Sequence, residues 1–150
     1  MSTVGSSRVR AVADHAERTV VATVDIAAPL QRVFRALASS EIIHWWVRPG
    51  VFDTRQWSGD LRVGGRWKAS GMSRGQRYEQ GGEFVEIDEP RKLVHTWDGA
   101  GMVTYLLEPL ERGTRLTLRQ SGFPSTDMCD AFAIGWETSL HQLADVLGGA

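Results

Sequence analysis

The sequence has little of several residue types on which whole classes of protein depend. It contains one cysteine in 150 residues, so it cannot form a disulfide within the chain, which excludes the disulfide-rich secreted class. Its formal net charge of −1 gives no electrostatic argument for binding nucleic acid or an anionic membrane. No apolar run reaches the roughly 20 residues of a membrane span, and no signal-peptide core follows the first methionine. We therefore predict a cytoplasmic protein without a nucleic-acid or membrane partner.

Patterns that hold metals or phosphates are also lacking. The four histidines, at positions 15, 44, 95 and 141, have no metal-ligand spacing with one another or with Cys129. Gly64-Gly65 is followed by Arg-Trp and not by the Lys-Ser or Lys-Thr of a phosphate-binding loop. We expect no metal and no cofactor, and we interpret Cys129 as a small buried apolar residue.

Tryptophan, in contrast, is abundant. Six tryptophans among 150 residues indicate either dense core packing or a pocket with aromatic walls. The length suits one globular domain that buries about two-thirds of its unfolded surface. We assign residues 1–16 to a flexible tail, because they are small, polar and without a clear period, and residues 17–150 to a single domain.

The segment Ser125–Leu147 is the longest with a helical period. At about 100° per residue its apolar side chains fall in one broad arc that includes Phe132 and Trp136. Ile134 alone is clearly apolar on the opposite, polar side. The segment therefore predicts a long amphipathic helix, which needs a large concave surface to lie on.

The preceding residues predict that surface. Alternating side chains indicate a strand over Arg18–Ile26, Pro29 opens a short helix, and a second short helix runs through Glu41–Trp46. Six further strands are predicted at Val51–Trp57, Arg66–Ala69, Arg77–Asp88, Lys92–Asp98, Met102–Glu108 and Thr114–Gln120. Their short connections imply antiparallel neighbours. We expect an α+β fold, in which a curved antiparallel seven-stranded sheet wraps the long C-terminal helix and two short helices follow the first strand.

Several phrases, in this order, resemble a known family. They are Ile26 to Leu37 (IAAPLQRVFRAL), Ile43 to Trp46 (IHWW), Val63 to Trp67 (VGGRW), Gly82 to Trp97 (GEFVEIDEPRKLVHTW), Gly113 to Leu118 (GTRLTL), Ser121 to Phe123 (SGF) and Gly135-Trp136. Over about residues 18–147 the chain is similar to the helix-grip superfamily (START-like, Bet v 1-like), in the bacterial branch named after the activator of Hsp90 ATPase. The resemblance implies the helix-grip fold. The superfamily includes carriers, hormone receptors, cyclases and chaperone cofactors, so the fold alone does not choose among these functions.

Strand alternation suggests which side chains face a cavity between the sheet and the helix. Leu118 and Gln120 share the inner face of the last strand, and continued alternation from Val85 and Ile87 turns Glu83 inward. The predicted ligand-binding residues are Trp67, Glu83, His95, Trp97, Tyr105, Gln120, Phe132 and Trp136. Three alternatives stay open. The aromatic side chains could simply fill the core, and a bulge at Gly81-Gly82 could turn Glu83 to solvent. His95 and Trp97 share one face of their strand, but the apolar or uncharged Val94 and Thr96 leave open which face is the inner one.

These residues support three hypotheses about function. The leading one is binding of a hydrophobic or aromatic small molecule in the cavity, without an assigned catalytic residue. The second is an enzyme of the same fold that acts on a polyketide-like or aromatic substrate, with Glu83, His95 or Tyr105 as acid or base. The third, which the family name implies, is a module that interacts with an Hsp90-type chaperone. Members of the family often have a histidine where this chain has Gln120, which argues against acid–base chemistry at that position.

Overall fold

The computed structural model describes residues 9–48 and 50–148 of the chain. Within these ranges the chain forms nine strands, two α-helices and one 3₁₀ helix. The elements, in order, are β1 (Arg10–Asp14), β2 (Thr19–Ile26), α1 (Leu30–Leu37), the 3₁₀ helix (Ser40–His44), β3 (Val47–Arg48), β4 (Phe52–Gly59), β5 (Arg66–Ser73), β6 (Gln76–Asp88), β7 (Lys92–Thr96), β8 (Met102–Leu110), β9 (Gly113–Ser121) and α2 (Thr126–Gly148).

All nine strands join one antiparallel sheet in the order β1-β2-β9-β8-β7-β6-β5-β4-β3. The long helix α2 contacts β1 and β2 at one edge and β3 at the other. A helix reaches both edges of a sheet only when the sheet curves around it, which confirms the α+β helix-grip architecture. No helix in the described ranges is long and apolar enough to cross a membrane.

Two strands lie where the sequence predicted none, so the predicted count of seven is wrong. β3 has two residues, too few to give a period. β1 falls inside the predicted tail, yet its five residues pair with β2, from Arg10 opposite Thr23 to Asp14 opposite Thr19. Its inward side chains are only alanines, Ala11 and Ala13, so its hydrophobic alternation is weak. The remainder of the predicted tail, residues 1–8, lies outside the described residues.

Contacts with α2 fix the N-terminal strand from its inner side. The backbone N–H of Ala11 donates to Glu137 Oε2 over 3.2 Å. After β1, His15 Nε2 lies 2.7 Å from Asp130 Oδ1, and this hydrogen bond raises the pKa of His15 above its ordinary value. The strand is thus held by β2 and by the helix together.

Capping interactions stabilise the starts of the helices. Pro29 precedes the first residue of α1 with extended backbone angles, and its carbonyl accepts the first helical hydrogen bonds. The Ser39 side chain accepts the N–H of Glu41 at the 3₁₀ helix, and Ser125 Oγ accepts the N–H of Met128 over 3.1 Å at α2. The two short helices lie between β2 and β3 in the chain, as predicted.

The apolar arc of α2 faces the concave side of the sheet. Its buried members Cys129, Trp136, Leu140, Leu143 and Ala144 belong to one continuous core with the inner side chains of the strands. Fully burying a large apolar side chain contributes about 1.5–3 kcal/mol, so this arc accounts for a large part of the stability of the helix. Ile134 remains 51% exposed on the other side.

Candidate functional site

An open cavity of about 400 Å³ lies between the middle of α2 and the β3 edge of the sheet. That volume is within the range of about 300–1,000 Å³ typical of small-molecule pockets. The cavity is lined by Trp46, Arg48, Val51, Phe52, Thr54, Ser73, Arg74, Tyr78, Gln80, Trp97, Ala131, Phe132, Ile134, Gly135 and Trp136.

The inner wall of the cavity is aromatic. Trp46 and Trp97 stack with ring centroids 5.1 Å apart and an interplanar angle of 25°. Phe132 meets Trp97 edge-on at 5.1 Å, and Trp136 does so at 6.0 Å. Offset and edge-to-face contacts of this kind are favourable and hold each ring in place. The wall is therefore a set of rings fixed by one another, ready to contact a flat apolar molecule.

Hydroxyl groups provide a polar point on the opposite wall. The Tyr78 and Thr54 hydroxyls share a hydrogen bond across β4 and β6, and both residues line the cavity. Burial raises the pKa of the Tyr78 phenol above its ordinary value, so the phenol is protonated at neutral pH and can donate a hydrogen bond. Gln80, two residues further along the same face of β6, adds an amide.

A second group of predicted site residues lies behind this wall, and we call it the buried layer: Trp67, His95, Tyr105 and Gln120. All four are buried, as strand alternation predicted for Trp67, Tyr105 and Gln120, but none lines the cavity. Both polar atoms of the Gln120 side chain form hydrogen bonds within the protein. Its Oε1 accepts from Trp136 Nε1 over 2.6 Å, and its Nε2 donates to the Ala100 carbonyl over 2.8 Å. Gln120 thus fixes Trp136 in the cavity wall and is not itself available there.

His95 is neutral in the buried layer. Its Nδ1 lies 2.8 Å from the Thr96 carbonyl, which can only accept, so Nδ1 carries the proton. Burial lowers the pKa of His95 to about 4, and the hydrogen bond to Thr96 offsets this only in part. Burial also raises the pKa of Tyr105, whose hydroxyl has no hydrogen-bond partner among the described residues. Neither residue is among those that line the cavity.

The prediction that Glu83 faces the cavity is wrong, since its side chain is exposed. Its neighbours Gly82 and Phe84 are the buried residues of this stretch. The pairing of β6 with β7 shifts register between Phe84 and Glu86, and this bulge reverses the alternation on which the prediction relied. Glu83 instead donates its backbone N–H to Thr96 Oγ1 over 2.8 Å.

The diglycine before Glu83 has a packing role. A Cβ at Gly82 would collide with the Thr96 carbonyl oxygen and the ring nitrogen of Trp67. Its absence lets Trp67 Nε1 donate across the strand to that carbonyl over 3.1 Å. At this point β6 ends its pairing with β5 and begins its pairing with β7, so the glycine allows the sheet to bend under a bulky ring.

Residues 27–148 match the family described as Activator of Hsp90 ATPase homolog 1-like protein (AHSA1). The chain belongs to this family.

Solved structures share this fold. The AHSA1-like chain is similar to protein CV1439 from Chromobacterium violaceum, with 28% identity, a TM-score of 0.76, and 86% of this chain and 96% of that chain covered. It is similar in fold to protein Ms6760 from Mycobacterium smegmatis, with 21% identity, a TM-score of 0.79, and 93% and 97% covered. Protein NE0264 from Nitrosomonas europaea gives 23% identity, a TM-score of 0.76, and 88% and 95% covered. No curated protein matches the chain in sequence.

Of the eight residues predicted to bind a ligand, three line the cavity of this AHSA1-like chain: Trp97, Phe132 and Trp136. The sequence offered signals for two cavity residues that the prediction omitted. Ile134, the one apolar residue on the polar side of α2, lies at the cavity, which accounts for its exposure. Gly135 lies mid-helix, where glycine costs about 1 kcal/mol relative to alanine. A Cβ there would point into open space, because apart from its chain neighbours and the backbone of its own helix nothing lies within 4 Å.

One further pattern of the AHSA1-like chain falls at the cavity. Residues 71–75 read Gly-Met-Ser-Arg-Gly, which has the spacing of the nucleophile elbow of α/β-hydrolases. That elbow requires a turn from a strand into a helix, whereas Ser73 ends β5 in a hairpin with β6. No histidine is among the described residues that line the cavity. The pattern therefore lacks both the backbone geometry and the base of a serine nucleophile.

The described residues also include no group of three or more histidine, cysteine, aspartate or glutamate side chains that could hold a metal ion.

Proposed function

We propose that this protein binds a hydrophobic or aromatic small molecule in the cavity between α2 and the β3 edge of the sheet. The observation that carries the proposal is the open volume of about 400 Å³ behind a wall of mutually packed rings, Trp46, Trp97, Phe132 and Trp136. Apolar walls with a few polar groups are typical of small-molecule sites. Membership of the AHSA1 family supports ligand binding in general and names no ligand.

The chemistry of the cavity favours binding over turnover. Among the described residues that line it, none is an aspartate, glutamate, histidine, lysine or cysteine. General acid–base catalysis near pH 7 needs a group whose pKa lies near that value, and His95 is both buried elsewhere and shifted to about 4. The open interior also favours a ligand carrier over a module that acts on a chaperone through its surface alone.

Thermal unfolding and intrinsic fluorescence test the proposal. An apolar aromatic compound at a hundredfold excess over its Kd should stabilise the folded state by about 2.7 kcal/mol, which amounts to several degrees in Tm. It should also change the tryptophan fluorescence, because three tryptophans line the cavity. A broad panel of such compounds that changed neither signal would contradict the proposal.

A cavity-filling variant locates the binding. Gly135→Leu projects a side chain into the open space above the wall and, because leucine is the better helix former, should leave the fold intact. We expect it to abolish the ligand response. His141→Leu is the matched control, since it adds the same side chain at an exposed position of α2 that does not line the cavity. Undiminished binding by Gly135→Leu would contradict the assigned location.

A further inference from the structure

The rim of the cavity carries positive charge that nothing in the lining balances. Arg48 and Arg74 both line the cavity, and no carboxylate does so among the described residues. Within the same part of the chain neither arginine forms an ion pair, although ten other pairs are present. The nearby Asp53 bonds instead to Arg55, with Oδ2 3.0 Å from Nε. The cavity therefore offers two guanidinium groups that have no ion-paired carboxylate among the described residues.

Backbone hydrogen bonds place these two arginines at the same part of the rim. The N–H of Val51 donates to the Arg48 carbonyl over 2.9 Å, which closes the turn between β3 and β4. The N–H of Arg74 donates to the Val51 carbonyl over 2.8 Å. Val51 thus joins the two turns, and it lines the cavity itself.

Arg74 occupies a position that its residue type does not favour. It forms the two-residue turn with Gly75 between the paired residues Ser73 and Gln76, and the φ angles of the turn are +50° and +81°. Turns of this type prefer asparagine, aspartate or glycine, because other side chains crowd the backbone when φ is positive. An unfavourable conformation of this kind points to a function for the side chain.

We propose that the ligand is an aromatic carboxylate, whose ring lies against the aromatic wall and whose carboxylate is bound by Arg48 and Arg74. The inference rests on the proposed function and specifies its ligand class. A guanidinium group matches a carboxylate in shape, since two parallel N–H groups meet two oxygens. The ring contacts come from Trp46, Trp97 and Phe132, and the protonated Tyr78 hydroxyl adds a neutral donor.

Matched acids and esters test the charge requirement. Benzoate, 2-naphthoate and 9-anthroate would be titrated against the full chain beside their methyl esters, with tryptophan fluorescence and calorimetry as readouts. We expect at least one acid to bind about tenfold or more tightly than its ester, because only the acid gains charge-assisted hydrogen bonds. Acid binding should also weaken as the salt concentration rises, and ester binding should not.

Variants then assign the effect to the two arginines. Arg48→Gln should weaken acid binding about tenfold and leave the ester unaffected. Arg112→Gln, which makes the same charge change in the turn between β8 and β9, should alter neither. Arg74→Asn should weaken the acid similarly and at the same time raise the Tm by about 1–3 °C, because asparagine suits the positive φ. A loss of binding together with a gain in stability is not expected of a residue with a structural role only.

The outcomes separate this inference from the proposed function. Equal affinities of acid and ester, both abolished by Gly135→Leu, would overturn the carboxylate assignment and leave cavity binding in place. An acid preference that persists in Arg48→Gln and Arg74→Asn would also overturn it. Failure of every acid and every ester to bind would count against both.

Discussion

At the scale of single residues, the cavity tryptophans differ in what their indole nitrogens do. Trp136 Nε1 donates to Gln120, whereas Trp46 Nε1 is buried without a hydrogen-bond partner among the described residues. We expect Trp136→Phe to lower the free energy of unfolding by about 1–3 kcal/mol more than Trp46→Phe does, because only the first change leaves a buried acceptor unpaired. Urea unfolding of both variants measures the difference.

Trp46→Phe serves as the control in this comparison. Each change replaces an indole with the smaller phenyl ring, and the two tryptophans contact each other in one packed cluster. The lost ring area is therefore similar in both variants and cancels in the difference. Equal losses would show that the bond to Gln120 contributes nothing net to stability.

Gln120 also illustrates what alternation along one strand can and cannot predict. The period of two in β9 correctly placed its side chain inside. Its partners, however, are Trp136 on α2 and a carbonyl in the turn before β8, 16 and 20 residues away in sequence. A local pattern predicts which face of the sheet a side chain occupies, but it does not predict which distant groups the side chain will contact there. For this reason Gln120 was predicted as a ligand contact and is a structural bridge.

At the scale of elements, β1 is the edge strand whose pairing can be tested most directly. Ala11 gives its N–H to Glu137, so the next pair, Val12 opposite Val21, is the one that exchanges backbone hydrogen bonds in an antiparallel ladder. The Val12 side chain is 58% exposed. Val12→Pro should therefore act through the backbone alone and lower the free energy of unfolding by roughly 1–3 kcal/mol.

Val12→Thr is the matched variant, because it keeps the branched side chain and the N–H. It should change the stability by less than about 0.5 kcal/mol in the same chemical denaturation assay. Should the proline and threonine variants be equally stable, β1 would not be paired in solution, and the expectation of a tail over residues 1–16 would apply after all.

The elements that the sequence predicted well show a strong contrast in polarity between the side chains of their two faces. β2, β8 and β9 alternate buried, mostly apolar side chains with more exposed ones, and α2 has a broad apolar arc, so each pattern can be recognised from the element's own residues. The predicted bounds of these strands differ from the observed ones by two residues or fewer. β1 lacked that contrast, and the bulge in β6 reversed the direction of Glu83 without any local sign beyond the diglycine.

At the scale of the whole molecule, protonation of the His95 imidazole makes the stability of the fold depend on pH. His95 has a pKa of about 4 when folded and an ordinary value of 6.5 when unfolded, so between these values the unfolded chain binds more protons. The contribution of His95 to the free energy of unfolding should therefore be fully present above about pH 6.5 and decrease as the pH falls towards 4. The shift corresponds to a loss of about 3 kcal/mol from this group.

Replacement of the titrating ring isolates this contribution. His95→Gln should unfold with a weaker pH dependence than the parent chain between pH 6.5 and 4, when both are measured by urea titration at each pH. The exposed His15 has its pKa raised by Asp130, but it is unchanged in both proteins and so cancels. Identical slopes would show that His95 is not held neutral by burial.

The cavity could be predicted only in part because its walls come from elements distant in the chain. The helical period identifies Phe132 and Trp136, whereas alternation leaves open which face of its strand Trp97 occupies. Arg48 lies in the edge strand β3, Arg74 in the turn between β5 and β6, and Tyr78 in β6. The positions of these segments depend on how the sheet curves around α2. Curvature is a property of the assembled sheet, and no local pattern in these segments encodes it.

The separation between the buried layer and the cavity rim has a consequence for how such a protein can diverge. The buried layer is joined by hydrogen bonds such as the one between Gln120 and Trp136, so a replacement there disturbs the partner as well. Of the rim residues, Arg74 lies in the turn between β5 and β6 and Arg48 ends the two-residue edge strand β3. Neither arginine forms an ion pair within the described residues, so a replacement of either side chain breaks none. Descendants of one ancestral chain can therefore exchange their preferred compound through a few changes at the rim and inherit the scaffold unaltered.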